Sequence, residues 1–92
     1  GADFYDNVKV FPNPVRETYH GPIAISGLMD ETTIKITDVS GTLVHESVSF
    51  GGQAIWDGTN FDGERVATGV YLVFMADRDA TAAHVTKILF IH

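Results

Sequence analysis

The run from Trp56 to Val73 constrains this chain more than any other segment: Trp56-Asp57-Gly58-Thr59-Asn60-Phe61-Asp62-Gly63-Glu64-Arg65-Val66-Ala67-Thr68-Gly69-Val70-Tyr71-Leu72-Val73. Asp57-Gly58 and Asp62-Gly63 are turn dipeptides, because glycine takes positive φ without steric cost and aspartate bonds its own backbone two residues on. The chain reverses there and continues from Val70 to Ala76 as an almost unbroken apolar run. Successive strand side chains point to opposite faces, so this strand is apolar on both and belongs in the middle of a sheet. Alternation is taken to turn Val70, Leu72 and Phe74 inward and Tyr71, Val73 and Met75 to the other face.

The rest of the chain has the same grain. Val8 to Phe11 alternates and stops at Pro12-Asn13-Pro14, since proline cannot donate to a ladder and forces its predecessor toward extended geometry. Ile23 to Ser26 alternates and closes at Gly27; the chain then turns through Asp30-Glu31. Thr33 to Asp38 alternates strictly, with Ile34 and Ile36 toward a core and Thr33, Lys35 and Thr37 toward water. Asp38-Val39-Ser40-Gly41 has aspartate first and glycine last, the preferred chemistry of a type I turn. A partner strand follows from Thr42 to about Ser49, then Gly51-Gly52 breaks the chain before Gln53 to Trp56. A second connection spans Arg78 to Ala83, and Val85 to Ile91 forms the last strand.

Seven short strands with turn signals between them, and no stretch of helical periodicity, predict a seven-stranded immunoglobulin-like antiparallel β-sandwich. Residues 1–7 form a tail or linker and residues 8–92 one domain. The expected interior is Val8, Val10, Ile23, Ile25, Ile34, Ile36, Trp56, Val70, Leu72, Phe74 and Leu89.

Composition narrows the function classes. With 12 acidic and 6 basic residues the formal net charge is −6, and the cations are dispersed, which argues against nucleic acid. The chain has no cysteine, hence no disulfide framework, thiol nucleophile or thiolate metal site. No run approaches the roughly 18 apolar residues of a membrane-spanning helix, and a secretion signal, if the protein is exported, lies upstream. His20, His45, His84 and His92 are widely spaced and lack metal-ligand spacing. The oxygen-rich loop at 57–64 departs from a calcium-loop pattern, with Phe61 standing where a fifth-position oxygen is needed, and reads as a structural turn. No nucleophile elbow or phosphate-binding glycine pattern occurs, so neither catalysis nor a cofactor is expected. Tyr19, Trp56, Phe61 and Tyr71 could form a sugar-binding platform only as a row of exposed rings. A carbohydrate-binding module, or a structural cap on a larger surface protein, are the alternatives to recognition.

With these residues in order, the chain resembles the C-terminal sorting domains of the type IX (Por) secretion system of Bacteroidetes. The resemblance runs through Phe11-Pro12-Asn13-Pro14-Val15, Ile25 to Leu28, Ile34 to Asp38 with Gly41 and Val44, Trp56-Asp57-Gly58 with Asn60 and Gly63, Gly69-Val70-Tyr71-Leu72-Val73, and Lys87-Ile88-Leu89. Gly21-Pro22-Ile23 and Gly51 to Trp56 look like the copy at the end of a β-propeller surface component of the attachment complex. The resemblance implies an address read by outer-membrane and attachment-complex proteins, with transit through the periplasm to the cell surface or the medium. It also implies removal by a sortase-like protease during attachment to anionic lipopolysaccharide, or retention as a docking module. Gly69, Val70, Tyr71, Lys87, Ile88, Leu89, Phe90 and Ile91 are the expected recognition residues, Pro12, Asn13, Pro14, Asp38, Gly41, Asp57, Gly58, Asn60 and Gly63 the structural turns, and the isolated domain is expected to be a monomer.

Overall fold

The computed structural model describes residues 8–29, 31–77 and 83–91. The expected tail at 1–7, Asp30 of the first turn, residues 78–82 of the last connection, and His92 lie outside the described residues. Eight strands follow in order: β1 (Lys9–Phe11), β2 (Val15–Arg16), β3 (Ile23–Ser26), β4 (Thr33–Thr37), β5 (Leu43–Val48), β6 (Gln53–Trp56), β7 (Gly69–Ala76) and β8 (Ala83–Ile91). No helix occurs among the described residues. The strands form a three-stranded sheet, β1-β3-β6, and a five-stranded sheet, β2-β8-β7-β4-β5.

Eight strands stand where seven were expected, and the addition is the two-residue β2. After β1, the Pro12-Asn13-Pro14 segment, with cis peptide bonds before both prolines, carries the chain from the small sheet to the large one. There β2 pairs with the end of β8 in parallel, Val15 opposite Phe90 and Arg16 opposite Ile91, the one exception to antiparallel pairing. β7 is central in the large sheet, between β8 and β4, as its two apolar faces require.

The core lies between the sheets. Ile23, Ile25, Ala54 and Trp56 of the small sheet meet Ile34, Ile36, Tyr71, Val73, Met75, Ile88 and Phe90 of the large one. Burial of Ile23, Ile25, Ile34, Ile36 and Trp56 agrees with their alternation, and Val8 and Val10 pack half-buried against the cluster; Thr37, expected to face water, is instead buried where the β4–β5 register shifts, its hydroxyl donating to Asp38 O. On the last two long strands the expected phase is reversed. Tyr71, Val73 and Met75 point inward, whereas Val70 and Leu72 are half-buried and Phe74 is 39% exposed; likewise Ile88 and Phe90 are buried and Leu89 is 39% exposed. A strand apolar on both faces carries no phase of its own, so its partners decide: Lys87 must reach water, which turns Leu89 outward on β8 and Val70 and Leu72 with it across the ladder.

Aromatic packing closes the core. Trp56, Tyr71 and Phe90 form a mutually tilted trio with ring centroids 5.3 to 6.1 Å apart. Each polar tip finds a carbonyl: the Trp56 indole N–H donates to Thr59 O at 2.9 Å and the Tyr71 hydroxyl to Ala67 O at 2.7 Å. At the opposite end of the core, Thr32 and Ser49 are buried together. The Thr32 N–H donates to Ser49 Oγ, the Ser49 N–H to Thr32 O, and both hydroxyls donate to Met29 O. This tie fixes the entry to β4 against the exit from β5.

Candidate recognition surface

The turns that space the strands are built from side-chain oxygens. Asp38 Oδ1 accepts from Ser40 N, Ser40 Oγ and Thr42 N, closing the β4–β5 connection around Gly41, whose φ of 92° belongs to the glycine-favouring left-handed region. Those hydrogen bonds, the Ser40 hydroxyl first, hold the Asp38 carboxyl below its usual range. In the long β6–β7 loop, Asp57 Oδ1 accepts from Thr59 N and Thr59 Oγ1, and Asn60 Oδ1 accepts from Asp62 N and Glu64 N. The Asn60 N–H donates to Glu64 O, the Gly63 N–H to Asn60 O, and the Val66 N–H to Gly58 O. Gly58 is required by its backbone, whose φ of 80° lies in the left-handed region; a Cβ there would only come into ordinary contact with the Phe90 ring. Asp57 is also held below the usual carboxylate range, by the Thr59 hydroxyl first and with a smaller contribution from His45. These oxygens serve the loop's own backbone. No cluster of three or more metal-ligating side chains occurs among the described residues.

The expected recognition residues all fall on adjacent strands. Gly69 pairs with Phe90, Val70 with Leu89, Tyr71 with Ile88 and Leu72 with Lys87. They do not share a face. Tyr71, Ile88 and Phe90 are core side chains, Ile91 is half-buried beside β2, and Val70, Lys87 and Leu89 point to the outer face of the large sheet. That face is a lattice of cross-strand rows, with Val85, Phe74, Lys35 and Glu46 in one, Lys87 and Leu72 in the next, and Leu89 and Val70 in a third. Phe74, expected in the interior, and Val85 thus join the surface. The missed signal was Lys87: period-two counting from a residue that must be solvated puts Val85 and Leu89 beside it.

The edge of this surface is guarded by one residue. Along Ala83–Leu89, β8 has β7 on one side and no strand of the described residues on the other; β2 covers only Phe90 and Ile91. There Asn13 acts as a one-residue strand, its Nδ2 donating to Lys87 O at 3.0 Å and its Oδ1 accepting from Leu89 N at 3.1 Å. The end of β8 is further tied by Arg65, whose guanidinium lies 5.6 Å over the Phe90 ring and donates to Arg16 O at 3.3 Å.

The other candidate features disperse. His45 stands against Trp56 with ring centroids 6.0 Å apart, its pKa lowered by burial and partly restored by Asp57, and its Nε2 is buried without a partner. Of the aromatic platform considered for sugar, Trp56 and Tyr71 are buried in the core, and the half-buried Tyr19 spends its hydroxyl on Pro22 O; Phe61 alone is exposed.

The described residues thus form an all-β domain of two facing sheets, with turns held by side-chain oxygens and a long antiparallel β7–β8 pair. The match to the family model described as the secretion system C-terminal sorting domain extends over residues 9–91. The chain belongs to that family and has its sorting or docking role in type IX secretion, which entails export to the cell surface or secretion. Among solved structures it is similar to PorZ, an essential bacterial surface component of the type IX secretion system of Porphyromonas gingivalis, at 34% identity and a TM-score of 0.91. The similarity covers 99% of this chain and 12% of PorZ, so the chain corresponds to a small part of that protein's length. No curated protein matches the chain significantly.

Proposed function

We propose that this domain is a non-catalytic docking module, read as a folded shape by outer-membrane and attachment-complex proteins of the type IX system. The recognition elements are Gly69 and the outward side chains Val70, Lys87 and Leu89, with Tyr71, Ile88, Phe90 and Ile91 acting from inside by holding the two strands in register. One observation carries the reading: β7 pairs with β8 over its full length, from Gly69–Phe90 to Ala76–Ala83, and the two present apolar side chains outward on a face with no covering layer among the described residues. The strand order supports an immunoglobulin-like sandwich, with β1 and β2 as one edge strand divided between the sheets at Pro12-Asn13-Pro14. The route runs through the periplasm to the outer surface, where the domain is retained as a monomeric module near anionic lipopolysaccharide.

The test is a secreted reporter carrying this domain at its carboxyl end in a cell with a type IX system. The intact fusion is expected at the surface, and one lacking Leu89 to His92 in the periplasm. Surface delivery of the truncated fusion at the intact level would remove the reading.

A further inference from the structure

The seam where the two sheets approach each other at β5 and β6 holds polar side chains in a place built for apolar ones. His45 and Ser47 stand opposite Ile36 and Ile34 in the β4–β5 ladder, and both isoleucines are fully buried, so the two polar residues share the inward side of β5. His45 Nε2 and Ser47 Oγ are buried, and neither has a hydrogen-bond partner in the other or elsewhere among the described residues. Buried polar atoms in folded chains are ordinarily paired, so two unpaired ones at successive inward positions call for a reason. The strand is also irregular there. Its register steps from Ile36–His45 to Thr37–Leu43, which leaves Val44 as an extra, bulged residue immediately before His45 on the edge strand of the large sheet.

His45 lays its ring against Trp56, with centroids 6.0 Å apart and the planes at 31°. Few charges face it. Glu46 and Lys35 pair with each other on the opposite side of the sheet, β4 turns Ile36 toward the ring and β6 turns Trp56; Asp57, exposed at the end of β6, is the ionised group that acts on it. A neutral imidazole leaves Nε2 bare at the cost of one unmade bond. An imidazolium puts a charged N–H there with no acceptor, and burial outweighs Asp57 in disfavouring that form. The proton is therefore held best by a ring that has left the seam, where the exposed carboxylate of Asp57 stabilises the charge.

We propose that His45 is an acid-operated switch with two positions, neutral against Trp56 inside the β5–β6 seam and protonated outside it beside Asp57, and that its exit opens the seam by moving β5 at the Val44 bulge. The switch lies at the far edge of the large sheet from β8, so it stands or falls apart from the recognition surface. Because the outer position favours the proton, the open fraction rises as pH falls below about 6.5, by at most about tenfold per pH unit.

The test uses the chain's single tryptophan, which is 1% exposed in the closed seam. Between about pH 7.5 and 5, with far-ultraviolet circular dichroism unchanged, acrylamide quenching of Trp56 is expected to rise at least about twofold along the titration of the His45 ring, followed by NMR. Overhauser contacts between the His45 ring and the Trp56 indole should fade with the same midpoint. His45→Gln should remove the pH dependence, and Asp57→Asn should move the midpoint to lower pH. Protonation of His45 with contacts and quenching unchanged would show the charged ring staying in its seat and overturns the proposal. So does a rise in quenching that persists in His45→Gln, one that coincides with loss of circular dichroism and is thus global unfolding, or a midpoint that Asp57→Asn leaves in place. The ring-to-indole contacts need no variant, so they decide the question even if His45→Gln does not fold.

Discussion

Trp56 is held from two directions, by the rings of Tyr71 and Phe90 and by the carbonyl of Thr59. Trp56→Ala leaves both a large cavity and an unfilled acceptor, and is expected to cost about 3–5 kcal/mol by urea denaturation. That is much of what a small domain has. Ser49→Ala removes the acceptor of the buried Thr32 N–H and should cost about 1–3 kcal/mol in the same assay. Acid should act through three groups of one sign. Asp38 and Asp57 have folded pKa values below their unfolded value near 3.8, so the stability they contribute is present above that pH and lost as pH falls through the folded values. His45 is likewise lowered from 6.5, so the folded state disfavours its proton and stability declines as pH drops below about 6.5. His45→Gln should flatten the thermal midpoint between pH 5 and 6.5, and an unchanged slope would mean that His45 is not its source. Trp56 was legible from sequence because a single large ring in a small β-domain has few places to go. Asn13 was legible as a turn residue only, since nothing local says that its amide reaches a strand more than seventy positions away.

For the elements, sequence pattern predicted well which side chains turn inward where one face was polar, and poorly where neither was. Thr33 to Asp38 alternates with a lysine inside it, and β4 lies where that alternation places it, with Ile34 and Ile36 inward. β7 has no polar residue to set its phase, and its register follows from pairing with β8. β2 is two residues long and has no periodicity to detect; it exists because the segment after Pro14 lies alongside Phe90 and Ile91. The Asn13 bridge gives a prediction at this scale. Asn13→Ala should speed exchange of the Leu89 amide while leaving the Ile88 amide, which has no part in that bridge, near its original rate. Equal acceleration of both would indicate general loosening and not an opened edge. The expected stability loss is about 1–2 kcal/mol, from two exposed hydrogen bonds.

At the scale of the whole molecule, the residues that resemble the family serve mainly to build it. Asp38, Gly41, Asp57, Gly58, Asn60 and Gly63 shape two turns, Tyr71, Ile88 and Phe90 fill the core, and Val70, Lys87 and Leu89 remain to be touched from outside. Function was therefore legible through the order of motifs, whereas the contact surface needed the phase of β7 and β8. The central claim is that the machinery reads the folded outer face. The most direct measurement is surface delivery of a reporter carrying Val70→Lys with Leu89→Glu, opposite residues whose new charges form a favourable cross-strand pair. The account predicts a thermal midpoint close to the original and loss of surface delivery. Delivery at the original level by this folded variant would contradict it.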